Sequence, residues 1–425
     1  MENKENFCIC NLCESCLHVH NEKQSAQNCD LDCFALSECN HKKQKYCKLC
    51  KQPLFSINDY DFSKDLTLLE SALNNKNLKV VCFTAPSVRV SLGDNFGLEI
   101  GENVEGKMVS ALKSLGFYQV FDMNTAADFT ILEEAQEFVH RFNQKKNLPM
   151  LTSCCPGWVN FIKKVHPNYI KNLSTCKSPQ QMFGSLINTY YAEKHNLKST
   201  DLFVVSIVPC LAKKLEIKQT KNVSIGFDVD LAITTNEIAQ LIKAKNIDFL
   251  SLQEQSFDNF FGGSSGAGAI FGNTGGVTEA VLRTVGDSLS PSEQTQLEYN
   301  LVRGLDGIKR ATVKFDNQQI NIAVVMGLKN VSIIMQELKE NPNKYDFIEV
   351  MACEGGCIGG GGQPQIENIP HQQVLLQRAK GLYNCELKRE QRKAHKNPAV
   401  QEVYKNYLGK IGGTKAKKLL HRDYK

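Results

Sequence analysis

From Leu78 onward, short β-branched and apolar runs alternate with stretches of helical period. The runs at 78–84, 148–152, 202–208, 320–325 and 347–351 lack the polar alternation of a half-exposed strand. They read as strands buried on both faces. Between them, 130–142 and 179–193 repeat apolar residues at three- and four-residue intervals, as amphipathic helices do. Strands separated by helices predict an α/β fold of mostly parallel twisted sheets flanked by helices. Near the carboxyl end, Val400, Val403, Tyr404, Tyr407 and Leu408 share one helical face, and Gly409 stops the helix. Residues 1 to about 56 carry no strong hydrophobic period.

In parallel sheets, ligand sites form beyond the carboxyl ends of the strands. Three motifs in this chain stand near such ends: TSCCPGW from Thr152, VPCLAKKLE from Val208, and EVMACEGGCIGGGGQP from Glu349. Thiolates from separate strand ends can converge on one point between two sheets, and four is the number a cubane cluster needs. Taken singly, each cysteine reads as an inert buried thiol. A zinc site usually draws on two close pairs, whereas here only Cys353 and Cys357 are close. A buried cluster fed by distant strands suits the set better. Gly355 and Gly356 permit a tight turn between that pair, and Pro209 removes an amide donor beside Cys210.

Length and composition narrow the class. At about 150 residues per domain, 425 residues suggest two or three domains. No apolar run reaches the roughly 18 residues of a membrane span. Of 17 cysteines, nine fall in the first 50 residues, a density that points to metal rather than to an evenly stapled disulfide scaffold. The start MENKENFCIC has acids and no apolar core, so neither a secretory signal nor a transit peptide is read there, and a reducing cytosol is expected. Net charge is +5, but residues 371–425 hold 14 Lys+Arg against 4 Asp+Glu, leaving 1–370 at −5. Such an end is either a solvated basic helix or a surface for nucleic acid, membrane or an acidic protein. The seven glycines of 257–276 lack a following Gly-Lys-Ser/Thr, so they predict close backbone approach to a bulky buried group rather than a phosphate loop.

The three cysteine motifs, in order and at compatible separations, resemble the signatures of the [FeFe] (iron-only) hydrogenases. SPQQMFG from Ser178, GAGAIFGNTGG from Gly266, and the carboxyl-terminal NPAVQEVYKNYLGK and KKLLHRDYK are similar to that family too, the last two to its small-subunit segment. The resemblance implies two lobes with the active site between them, and domains at 77–368 (catalytic) and 369–425 (small-subunit-like) behind a Cys-rich segment at 1–56. It implies that Cys155, Cys210, Cys353 and Cys357 hold a [4Fe-4S] cluster. Cys357 would also bridge to a two-iron subcluster bearing CO, cyanide and an azadithiolate, completing the H-cluster. Cys154 would be the proton-donating thiol, titrating near ~8.5 if unperturbed. Its carriers would be Glu137, Ser174, Glu134 and then Arg141, with Glu134 and Glu137 on one helix face. Lys213 and the backbone of Ala85 and Pro86 would hold the cyanides, and Gln180 and Met351 would line the pocket. The family usually has Met where this chain has Val208, and loss of a thioether there would shift the potential or catalytic bias.

The activity so implied is reversible reduction of protons to hydrogen, with ferredoxin as electron partner and maturation proteins to build the cofactor. A cytoplasmic or hydrogenosome-type location, a monomer, and no nucleic-acid or membrane partner complete that reading. Cytosolic iron–sulfur assembly factors of the same fold are the alternative; they match the four ligand cysteines but generally lack the Cys154 thiol. A hydrogen sensor is a third reading, and sensors tend to lose Cys154. At the amino-terminal end, Cys10, Cys13 and Cys16 carry the first spacings of a ferredoxin motif without its fourth Cys and Pro. They are read as ligands of at least one accessory [4Fe-4S] cluster, beside the alternatives of a zinc knuckle using His18, His20 or His41, or a segment without metal.

Overall fold

The computed structural model describes residues 63–424 except Thr220 and 223–225. Cys10, Cys13 and Cys16 lie outside the described residues. Two four-stranded sheets organise the rest. The strands are β1 (Lys79–Thr84), β2 (Gln119–Asp122), β3 (Met150–Leu151), β4 (Leu202–Val208), β5 (Leu231–Thr234), β6 (Ile308–Phe315), β7 (Gln318–Met326) and β8 (Phe347–Met351). The first sheet runs β2-β1-β4-β5, all parallel, and the second β3-β8-β7-β6, parallel except for the β6–β7 pair. Val80 to Phe83 and Val204 to Val208 are buried throughout, so these strands read as continuous apolar runs because helices cover both faces.

The helices used below are α1 (Met123–Gln144), α2 (Pro156–Val165), α3 (Pro179–Leu186), α4 (Leu211–Gln219) and α5 (Thr414–Leu420). Asp122 caps α1 by accepting a hydrogen bond from the Asn124 amide at 2.9 Å, and Lys145, at φ 50°, ends it. The helix is longer than the expected 130–142, since its first two turns are buried on nearly all sides and show little periodicity. The expected helix at 179–193 runs as α3 and then a π turn at Ile187–Tyr191. Among the described residues, no helix is long and apolar enough to cross a membrane.

Three strands of these two sheets escaped the sequence reading. β2 and β5 have only four residues each, and β6 alternates buried and exposed positions as an antiparallel edge does. The run at 148–152 shrinks to two paired residues, because Pro149 has no amide to give the ladder. Beyond it, Trp158 on α2 is 1% exposed and donates its indole N–H to Thr152 O at 3.0 Å. Trp158→Ala should destabilise the protein by about 3–5 kcal/mol, read as a shifted denaturant midpoint. A loss below about 1 kcal/mol would mean that this contact does not anchor the β3–α2 turn.

Candidate metal centre

Strand register brings the sheet ends level. Thr84 pairs with both Asp122 and Ile207, so Ala85-Pro86, Met123 and Pro209-Cys210 leave the first sheet together. In the second sheet Ile348 pairs with Leu151, and Met351 with Met326, which sets Cys154-Cys155 and Ala352-Cys353 at the same level. One buried cavity lies where these ends meet. Cys154, Cys155, Cys210, Cys353 and Cys357 line it with Ala85, Pro86, Gln180, Lys213 and Met351, so the residues expected there from the sequence are brought together. Val208 lines it too, as do Phe271 and Gly272 of the glycine-rich segment, and Met123, which sequence reasoning did not single out.

Local chemistry explains each placement. Cys155 is the N-cap of α2, with Pro156 as the first helical residue. The Ala352 amide donates to Cys155 Sγ at 3.4 Å. The turn between Cys353 and Cys357 requires glycine: Gly355 and Gly356 have φ of 73° and 86°. At Gly356 a Cβ would stand 2.8 Å from the Thr274 amide nitrogen. The glycine-rich segment is thereby reassigned. Most of it packs on protein backbone, Gly268 against Asn124 and Gly276 against Ile270, and only its end meets the cavity. There Cys357 N donates to Gly272 O at 2.9 Å, and Thr274 N to Gly355 O at 3.0 Å.

Cys154 is buried and the other four thiols half-buried, and Lys213 is a cation that acts on Cys154, Cys210 and Cys357. Burial pushes Cys210 up to about 11, with Cys155 adding and Lys213 opposing. Cys357 goes up to about 12, through burial and then through Cys155 and Cys210. Burial likewise drives the Cys154 thiol well up, with Glu134 and Cys155 adding. The expectation of a thiol near its ordinary value is therefore corrected. Thiols whose ionisation is opposed in this way do not ionise alone; a soft cation bound among them would supply the missing positive charge, so a set of cysteine donors fits iron. Burial opposes the charge of Lys213, but Glu216 outweighs it and holds the ammonium above its ordinary pKa. Lys213 Nζ donates to Glu216 Oε2 at 2.9 Å and to Cys154 O at 3.1 Å. Glu216 Oε2 also accepts from Ser178 Oγ at 2.9 Å and Gln180 Nε2 at 3.0 Å, a hub whose signal was the Lys-x-x-Glu spacing in VPCLAKKLE.

The acidic residues adjoin the cavity in a different order from that expected. Glu134 is fully buried, its charge raises Cys154, and it is itself pushed up to about 8 by burial and the Glu137 charge. Both of its oxygens lack hydrogen-bond partners, although Ser174 is near enough to offset part of the shift. Ser174 Oγ donates instead to Glu137 Oε2 at 3.0 Å, and Arg141 Nη2 to Glu137 Oε1 at 2.6 Å. Glu137 and Arg141 line a surface cavity of about 560 Å³. The sequence of groups is thus Cys154, Glu134, Ser174, Glu137, Arg141, with Glu134 inner and Glu137 outer.

Two mostly parallel sheets whose strand ends enclose a soft, thiol-lined chamber define a class of metal-cluster scaffold. Within that class the chain belongs to the iron-only hydrogenase family. The family description "Iron only hydrogenase large subunit, C-terminal domain" matches residues 78–361, and "Iron hydrogenase small subunit" matches 372–425. The chain is 43% identical to Iron hydrogenase 1 of Clostridium pasteurianum over 84% of this chain and 63% of that protein. It is 31% identical to the cytosolic Fe-S cluster assembly factor narfl of Danio rerio over 81% of this chain and 86% of that protein. A solved apo [FeFe]-hydrogenase from Chlamydomonas reinhardtii superposes with a TM-score of 0.75 at 33% identity, covering 85% of this chain and 98% of that one. The chain spans 63% and 61% of the length of the first hydrogenases it matches.

Proposed function

We propose that this chain is a hydrogenase that reversibly reduces protons to hydrogen, with ferredoxin as its electron partner. The observation that carries the reading is Cys154: a fifth thiol lining the cavity with Cys155, Cys210, Cys353 and Cys357, and raised by the charge of the buried Glu134. Cys155, Cys210, Cys353 and Cys357 would hold a [4Fe-4S] cluster, and Cys357 would also reach the two-iron subcluster with its CO, cyanide and azadithiolate. When bound, that group supplies the redox iron at which protons and electrons are joined.

The protein's own part is to position and to move protons. Cys154, kept protonated by burial, holds a proton at Sγ within the cavity. Glu134, with its pKa near operating pH, is suited both to give and to take one. Ser174, which lies near Glu134, donates to Glu137, and Arg141 holds Glu137 at the surface cavity. Lys213 offers an ammonium to anionic ligands, and Gln180 is locked by its bonds to Ser206, Lys213 and Glu216. The amino-terminal cysteines, Cys10, Cys13 and Cys16 among them, would carry electrons inward through an accessory [4Fe-4S] cluster.

A second reading, a non-catalytic iron–sulfur assembly factor, is favoured by the fuller coverage of the Danio rerio protein. It leaves Cys154 and the Glu134–Arg141 chain without a purpose, since handing on a cluster needs no proton path. Infrared spectroscopy separates the two. Protein made alongside hydrogenase maturation proteins and purified without oxygen should show bands of iron-bound CO and cyanide. A sample with full iron content and no such bands would establish the assembly-factor reading instead.

A further inference from the structure

Cys176 and His421 oppose each other in an isolated antiparallel backbone bridge. Lys177 N donates to Leu420 O and Arg422 N to Thr175 O, both at 2.8 Å, one on each side of the pair. The pair itself exchanges no backbone hydrogen bond, the arrangement in which opposed side chains lie closest and on the same face. Glu137 Oε2 is 3.8 Å from Cys176 Sγ. A thiol sulfur, an imidazole nitrogen and a carboxylate oxygen from these three residues all lie within 4.8 Å of one another.

We propose that Glu137, Cys176 and His421 form a site for a soft divalent transition-metal ion of the zinc type. Sulfur, nitrogen and oxygen donors in this number suit zinc, with a fourth position left for water. His421 Nε2 lies 2.8 Å from Glu133 Oε2, so the carboxylate holds that nitrogen as the donor and leaves the Nδ1 lone pair on the side of Thr175 and Glu137. Glu133 is fixed in turn by the Tyr404 hydroxyl at 2.6 Å and the Gly412 amide at 2.8 Å. Thr175 Oγ1 now spans the gap, 2.7 Å from His421 Nδ1 and 3.1 Å from Glu137 Oε1. An ion replaces that hydroxyl link, and the ligands close in by about 1 Å to reach bonding distance.

Entry is from the surface cavity, which both Glu137 and His421 line, while Cys176 lies fully buried behind them. Binding exchanges one proton for the metal at sulfur: the dication and the thiol give a metal thiolate and a released proton, which leaves through the cavity. The charges then balance. Glu133, Glu137 and the thiolate bring three negative charges, against the dication and the Arg141 guanidinium paired with Glu137.

One consequence rests on the hydrogenase reading. An ion held by Glu137 takes it from Ser174 and Thr175 and closes the proton path at its outer end. The site itself does not depend on turnover, so its test uses binding. The full-length chain is titrated with Co²⁺ while thiolate-to-cobalt absorption is followed, beside Cys176→Ser and His421→Ala. Other cysteines bind cobalt too, so the readout is the difference: each variant should take up one equivalent less than the parent. Equal stoichiometry in all three overturns the site. Crystals soaked in Zn²⁺ give a variant-free check; an anomalous peak between the three side chains is expected, and its absence at full occupancy elsewhere overturns the proposal. Zinc should also inhibit hydrogen evolution at least tenfold more strongly in the parent than in His421→Ala. A chain that evolves no hydrogen refutes the catalytic reading, while the titration still decides the site.

Discussion

Cys154→Ser is expected to keep the iron content of the protein and to cut hydrogen evolution by roughly 100- to 10 000-fold, the usual worth of a positioned general acid. The substitution is nearly isosteric, and Cys154 is 8% exposed within a packed wall, so neither cavity nor fold should change. A hydroxyl is a far weaker acid than a thiol, and the step lost is release of a proton from that position. Iron analysis with gas-phase hydrogen measurement reads both effects. Turnover within about threefold of the parent would remove Cys154 from the path, and loss of iron would make it a ligand instead.

Glu134→Gln should lower turnover by a similar order, about 100-fold, and should change its pH profile. In the folded protein Glu134 stays protonated to about 8, against an ordinary value of 4.5. Hydrogen evolution by the parent should therefore fall as pH rises through about 8, and the glutamine variant should lack that limb. Stability follows the same sign. Because the folded pKa is raised, the contribution of Glu134 is complete below about 4.5, declines as pH rises, and is gone above about 8. The melting temperature of the parent should fall relative to that of Glu134→Gln across this window. Parallel melting curves would show that the carboxyl is not held neutral.

The cavity was legible because metal chemistry restricts its residues to a few types at strand ends. Cys155, Cys210, Cys353 and Cys357 announce themselves in short motifs, and unbroken apolar runs locate most of the strands beneath them. The order of the acids was not legible. Two glutamates three apart share a helix face, but spacing does not say which end of the helix points inward. The answer comes from tertiary structure: α1 begins at the cavity with Met123 and runs outward, so Glu137 is one turn farther from it than Glu134. The link from Glu133 to His421 spans 288 positions and has no local signature at all. The glycine-rich segment was legible only in part: Phe271 and Gly272 reach the cavity, while Gly268 and Gly276 pack on protein backbone, because glycine reports close approach without saying what approaches.

Ser178, Gln180 and Lys213 arrive from two separate stretches of chain, yet all three settle their orientation on one atom, Glu216 Oε2. Two walls of the chamber are consequently tied to a single anchor point. A lineage that altered this carboxylate would unfasten both walls in one step, whereas a change at any dependent position leaves the others moored. The glutamate is thus the one of these four positions whose loss loosens the other three at once.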